Sequence, residues 1–284
     1  MVYTRRSNRT KGTRKQSRQS YTLPSTAWMY WDTPTRPDLI QKIHDYNLKH
    51  VGSWTVHFLD KTSVYKYIPK SEFPRKYNGL KPAHKADWIR LSLLSKYGGV
   101  WIDASILLND SSALDRLRKQ SIEKQSAFTG FSYRNKEPGK KSIRGISLYI
   151  ENWFIMAPKE SIIIKLWLEE YEKAIEMGFM AYRHSLDEIG VDTSRVFEKP
   201  TSTYLTQHAC LQKVLQTGLA KIPPMIILPA EESMFKLRYK CKSDSSCIMN
   251  SLQDAPEASK SIPYIKLISA DRDEDVDLSE YFEE

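Results

Sequence analysis

The segment His84–Ser105, HKADWIRLSLLSKYGGVWIDAS, constrains the fold more than any other stretch of the chain. Ala86, Ile89, Leu93 and Tyr97 recur at spacings of three, four and four, which predicts a helix over 82–97 with one buried stripe. Pro82 suits the first turn, where an N–H has no partner to lose. Gly98 suits the cap beyond the last turn, where a positive φ is required. Two glycines then turn the chain into VWIDASILL, residues 100–108, an apolar run that predicts a buried strand.

That strand carries one carboxylate, Asp103. An ionised carboxylate in so apolar a strand is expensive unless paired or bound to a cation. The escape is the strand's carboxyl end, where open α/β sheets bind their ligands. A carboxylate there can hold a divalent cation, which in turn neutralises a diphosphate. On the preceding helix His84, Asp87 and Arg90 follow one another at i, i+3, so they stack along one side, offset from the apolar stripe. Taken alone, Asp87 with Arg90 is an ordinary ion pair on a solvated helix face, worth about a few tenths of a kcal/mol. The ordered series Asp, Arg, Gly-Gly, Asp is far more specific.

Around this unit the chain alternates. STAWMYWD (25–32), WTVHFLD (54–60), SAFTGFSY (126–133), SLYIENWFIMA (147–157) and MIILPA (225–230) predict strands. Residues 33–50, 159–178 and 202–218 predict helices, and YIKLIS (264–269) follows as a short apolar stretch. Strands alternating with helices predict an α/β fold, a mainly parallel sheet flanked by helices in a single domain. The polar, basic stretch 134–145 predicts a surface loop or a lid.

The net charge of +9 is uneven. Residues 1–18 hold seven basic side chains and no acid, and residues 271–284 hold eight acids against Arg272 alone. The expected organisation is a basic arm over 1–22, a folded domain over 23–270 and an acidic tail over 271–284. A basic body favours anionic ligands, nucleotides and phosphates among them. The arm could bind nucleic acid, but the aromatic residues fall into no nucleic-acid motif, so nucleic acid is not the expected partner. The longest apolar runs are far short of a membrane span, and no apolar segment follows the arm as a secretory signal would require. Cys210, Cys241 and Cys247 lack metal-ligand spacing and are expected as reduced thiols, although Cys241 and Cys247 could pair. A soluble, cytoplasmic protein is the expectation.

The pattern ADWIRLSLLSKYGGVWIDAS resembles the glycosyltransferases that carry an Asp-x-Asp motif and use sugar nucleotides, and it is most similar to the capsular polysaccharide synthesis group. AWMYWD resembles that group's first strand, ENWFIMAPK a mid-domain strand and MFKLRYK a closing segment. The resemblance implies a GT-A-like, Rossmann-like fold. It also implies transfer of a hexosyl or pentosyl group from a UDP-sugar or GDP-sugar donor to a glycan or glycolipid acceptor. By position, Asp87 and Arg90 would contact the donor sugar and its phosphate linkage. Asp103 would touch the ribose and the metal shell, and Trp28 or Trp31 would lie near the base. Carboxylates suit sugar hydroxyls, the arginine fork suits phosphate, and aromatic faces suit a stacked base.

Ser105 departs from the pattern, because the second aspartate of the motif is the usual ligand of the divalent cation, Mn²⁺ or Mg²⁺, and a hydroxyl is a poorer one. Either Ser105 acts through water or another group supplies the charge. The candidates are His208, Glu231, Glu232 and Ser233, with Lys236 and Lys240 able to offset phosphate directly. Asp32, Asp60 and Glu151 lie near strand ends where a base could sit, although each reads first as an ordinary surface acid, and His57 and His208 read as core histidines, so the sequence assigns no catalytic base. The competing readings are a basic nucleic-acid-binding protein and a transferase-like domain that binds glycans without turnover.

Overall fold

The computed structural model describes residues 21–133, 149–196, 202–219 and 221–283. Residues 1–20 of the basic arm and the loop 134–145 lie outside the described residues. The chain opens with β1 (Thr26–Tyr30), α1 (Asp38–His50) and β2 (Thr55–Leu59), then α2 (Pro82–Tyr97), β3 (Gly99–Ile102), β4 (Ile106–Leu108) and α3 (Ala113–Glu123). It continues through β5 (Phe128–Ser132), β6 (Ile150–Ala157), α4 (Ile162–Met177), α5 (Phe179–Glu188), α6 (Thr206–Lys213) and β7 (Met225–Pro229). The C-terminal part is made of short elements: α7 (Lys236–Lys240), α8 (Ser245–Asp254), α9 (Pro256–Lys260), β8 (Tyr264–Lys266), α10 (Ser269–Arg272) and α11 (Ser279–Phe282).

Six strands form one sheet in the order β2-β1-β3-β6-β5-β7. The pairs β1–β2, β1–β3 and β5–β7 are parallel, and β6 runs antiparallel to both its neighbours. The fold is therefore α/β with a mostly parallel sheet. Both faces are covered, which is why the strands read as continuous apolar runs. Along β1, Trp28 and Tyr30 join the core on the side of α2, α4 and α6, while Ala27 and Met29 join the core on the side of α3. Along β3, Trp101 faces the α2 side and Val100 and Ile102 the other. Alternation then directs Asp103, two residues after Trp101, toward α2.

The glycine pair explains how α2 and β3 meet. Gly98 and Gly99 have φ of 69° and 97°. A Cβ on Gly99 would lie 2.3 Å from the Thr26 carbonyl oxygen of β1, and one on Gly98 would lie 2.5 Å from the backbone nitrogen of Lys159. Only glycine lets the helix end, β1 and the end of β6 converge here.

Three features differ from the sequence expectation. The run 100–108 is not one strand: it breaks at Asp103–Ser105, where Ile106 N–H donates to the Asp103 carbonyl at 3.0 Å, and β4 leaves to pair with β8 in a separate two-stranded sheet. The acidic segment expected as a tail packs on the body. Asp271 is fully buried against Arg238, and Leu278 and Tyr281 enter the core beneath α1, with the Tyr281 hydroxyl on Asn109 at 3.0 Å. Apolar side chains among the acids anchor it. Finally, Cys241 and Cys247 form a disulfide, a correction to the expected free thiols, while Cys210 is free and buried. Among the described residues no helix is long and apolar enough to cross a membrane.

Candidate functional site

The parallel strands β1 and β3 bring their carboxyl ends to one edge of the sheet, and antiparallel β6 brings its amino end to the same edge. A cavity of about 650 Å³ opens there. Trp31 and Asp32 enter it from the end of β1 and Asp103 from the end of β3. Glu151 and Asn152 come from the start of β6, and His208 from α6. The N-terminal half of α2 and the segment Lys266–Ser269 close the sides. Asp103 is fixed across the sheet by its N–H, which donates to the Trp153 carbonyl at 2.9 Å.

The stripe of His84, Asp87 and Arg90 is not solvated. The three side chains sit in residues only 5%, 6% and 4% exposed, because α2 is packed on both its apolar and its polar side. An ion pair here is therefore a buried network rather than a surface pair. One Arg90 terminal nitrogen donates to Asp87 Oδ1 at 2.7 Å and to Gln207 Oε1 at 3.0 Å, and the other donates to Asp103 Oδ1 at 3.1 Å. Asn152 bonds both Asp87 Oδ1 and Gln207 Oε1, at 3.1 and 2.7 Å, and Gln207 Nε2 donates to the Asp87 carbonyl at 2.6 Å. Among the described residues the second oxygen of Asp87 has only long contacts, to the Tyr171 hydroxyl at 3.4 Å and His84 Nδ1 at 3.5 Å.

Asp103 is the hub. Its Oδ1 also accepts from Trp101 Nε1 at 2.8 Å, and its Oδ2 accepts from Lys266 Nζ at 2.9 Å. Burial alone would raise its carboxyl, but Lys266 and Arg90 more than offset that and hold it below the usual carboxylate range. Burial acts on Lys266 in the opposite sense for a base and lowers it, with Asp103 opposing. The Ser105 hydroxyl donates to the Leu267 carbonyl at 2.8 Å and accepts from Lys266 Nζ at 2.8 Å. Lys266 is held in this position by backbone pairing: it lies opposite Ile106 in the β4–β8 ladder, and Leu267 N–H donates to the Ser105 carbonyl at 2.9 Å.

The other expected site residues divide. Trp31 lines the cavity, with the Arg272 guanidinium 5.6 Å from its ring centroid. Trp28 does not reach it: the indole is 2% exposed, stacks on His57 at 4.7 Å and donates to the Gly98 carbonyl at 2.9 Å. The odd–even alternation of β1 sends Trp28 into the core, and this corrects its assignment to a base. His208 lines the wall away from that hub, stacked on Tyr149 at 5.2 Å with Glu151 Oε2 3.9 Å from its Nε2. Its two ring nitrogens have no hydrogen-bond partner among the described residues. Glu231, Glu232, Ser233, Lys236 and Lys240 are not on the cavity wall.

The expected cation ligands do not fit a divalent ion. Both oxygens of Asp103 already accept from fixed donors, the Ser105 hydroxyl is used on both sides, and an ammonium stands between them. His208 faces Tyr149 and Glu151 instead. Among the described residues no group of three or more His, Cys, Asp or Glu side chains could hold a metal ion. Sequence reasoning missed Asn152, Gln207, Trp101 and Lys266. The first and third stand inside motifs already singled out, whereas Lys266 had one faint signal, a lysine in an otherwise apolar strand.

A profile of the capsular polysaccharide synthesis protein family matches residues 3–252. Among curated proteins, the chain is similar to the O-glycosyltransferase braB of Annulohypoxylon truncatum, 29% identical over 173 residues, which is 56% of this chain and 39% of that protein. It is also similar to the O-glycosyltransferase PaGT of Phomopsis amygdali, 30% identical over 162 residues, 51% of this chain and 37% of that one. The chain thus spans well under half the length of the curated relatives it matches. Among solved structures, a glycosyltransferase involved in glycosylation of the major capsid of PBCV-1 aligns with a TM-score of 0.42 at 11% identity, covering 88% of this chain and 98% of that one. The PaToxG glycosyltransferase aligns with a TM-score of 0.42 at 11% identity, covering 92% and 86%.

Proposed function

The chain belongs to the capsular polysaccharide synthesis protein family, and we propose that it transfers a sugar from a nucleoside diphosphate donor, UDP- or GDP-linked, to a hydroxyl of a glycan or glycolipid. The observation that carries this reading is the single guanidinium of Arg90 tying Asp87 of α2 to Asp103 of β3 on the wall of one cavity. Two acceptor-only carboxylates fixed at the carboxyl edge of an α/β sheet suit the hydroxyls of a sugar and a ribose. The cavity volume of about 650 Å³ lies within the range of small-ligand sites.

In this reading Asp87 takes the donor sugar through its under-used Oδ2, and Asp103 takes the ribose. Trp31 offers its face to the base. Arg90 is a positioning residue, since three of its five N–H donors hold Asp87, Gln207 and Asp103 in place. The acceptor hydroxyl is assigned to the wall of Glu151 and His208. Unpartnered imidazole nitrogens beside a carboxylate support that assignment, and the O-glycosyltransferase names of the two relatives support a hydroxyl as the acceptor.

The test is a thermal-shift panel of UDP- and GDP-sugars on the full chain, followed by release of nucleoside diphosphate in the presence of candidate acceptors. One donor class should raise the melting temperature and turn over. Absence of any stabilisation across both classes overturns the reading.

A further inference from the structure

Resting on the donor reading above, we infer that this site binds its nucleoside diphosphate without a divalent cation, the ammonium of Lys266 standing between Asp103 and Ser105 as the fixed positive charge. Lys266 Nζ is 2.9 Å from Asp103 Oδ2 and 2.8 Å from Ser105 Oγ. It therefore bridges the two side chains that a motif of this spacing would present to a metal. A metal there needs several free lone pairs, and among the described residues these two side chains keep one each, beside an ammonium already bonded to both. Asp103 Oδ1 is filled by Trp101 and Arg90, Oδ2 shares its remaining room with Lys266, and Ser105 Oγ accepts from the same ammonium. A second cation brought against a hydrogen-bonded ammonium would also be repelled by it.

The lysine is built in. It is 9% exposed, belongs to the β4–β8 ladder, and its own N–H donates to the Met234 carbonyl at 3.0 Å, so backbone pairing on two sides sets where its side chain emerges. An ammonium has three N–H donors, and the two used on Asp103 and Ser105 leave one for a ligand on the cavity side, where Lys266 contributes to the wall. Arg272, three residues after Ser269 on the same wall, adds a second fixed cation beside Trp31. A diphosphate between them would meet point charge and guanidinium together. The serine at the second motif position then has a reason: a carboxylate there would compete with Asp103 for the same ammonium, whereas a hydroxyl accepts from it and remains neutral.

The experiment is calorimetric titration of the purified full chain with UDP and with GDP, once in excess EDTA and once with Mn²⁺. For the nucleotide that binds, the inference expects dissociation constants within about threefold of each other in the two conditions. Lys266→Met, which keeps the aliphatic stem, is expected to weaken binding in EDTA by about a hundredfold. Its fold is checked by its melting curve. The comparison on the unmodified chain stands whether or not that variant folds. Binding that requires Mn²⁺ overturns the inference and leaves the donor reading intact. Undiminished binding by a folded Lys266→Met in EDTA also overturns it. If neither nucleotide binds in either condition, the donor reading fails and the inference with it.

Discussion

Arg90 and Asp103, thirteen residues apart, meet at 3.1 Å across the turn that joins α2 to β3. The same guanidinium holds Asp87 at 2.7 Å, so one buried cation serves two carboxylates. Removing one partner of a buried pair leaves an uncompensated charge, at a typical cost of about 3–5 kcal/mol. Arg90→Ala should therefore lose stability of that order in denaturant unfolding, and it should not behave as a clean active-site knockout. Arg90→Lys keeps the charge but cannot span both carboxylates, so it should retain part of the stability and still lose most nucleotide affinity. An Arg90→Ala chain as stable as the parent would show that the network contributes nothing to the fold.

The depressed Asp103 carboxyl links stability to pH in a definite direction. Its folded value lies below its unfolded value, so its contribution is complete above the unfolded range and is lost as pH falls through the folded value. Between about pH 5 and pH 2 the parent should lose more unfolding free energy than Asp103→Asn, which has no proton to take up there. Parallel acid limbs for the two chains would remove Asp103 from the linkage.

What could be read from the chain was local. The helix 82–97, the glycine turn and the placing of Asp103 at a strand end all follow from spacings within 22 residues. The partners of Asp103 do not. Lys266 reaches it across a separation of 163 residues through the β4–β8 ladder, and Gln207 reaches Arg90 across 117. The break at 103–105 was hidden because Ala104 and Ser105 interrupt the apolar run too weakly to announce a turn. Trp28 and Trp31 look equivalent in sequence, and only the strand's alternation separates them. The tail 271–284 was read by charge, whereas Leu278 and Tyr281 decide its fate by packing.

The approach of β1 to β3 predicts an intolerant position. Gly99 combines a φ of 97° with a hypothetical Cβ only 2.3 Å from the Thr26 carbonyl oxygen. Backbone atoms on both sides cannot yield as a flexible side chain would. Gly99→Ala should cost about 2–4 kcal/mol in chemical denaturation and should weaken nucleotide binding as well, since β3 carries Asp103. A stable Gly99→Ala chain would mean the strands are spaced more loosely than described.

Thiol chemistry tests the C-terminal part. Cys210 is fully buried on α6, and burial pushes its thiol well above the usual range, so it should not react with maleimide in the native state. Cys241 and Cys247 are joined. Intact mass after labelling should show no adduct on the native oxidised chain, one after unfolding, and three after unfolding with reductant. Two adducts on the native chain would place Cys241 and Cys247 as free thiols.

The two tryptophans of AWMYWD should separate stability from binding. Trp28 lies in the core and its indole N–H satisfies the Gly98 carbonyl at 2.9 Å. Trp28→Phe removes that donor and leaves a buried acceptor alone, a loss of about 1–3 kcal/mol, with nucleotide affinity unchanged for the folded fraction. Trp31 is on the cavity wall beside Arg272, where base stacking on an aromatic face is worth about 1–3 kcal/mol. Trp31→Ala should therefore weaken UDP or GDP by about tenfold or more while changing the unfolding midpoint little. Titration and denaturant unfolding of both variants give four numbers, and the assignment requires them to fall on the diagonal. Weakened binding in Trp28→Phe with unaltered binding in Trp31→Ala would move the base to the other side of β1.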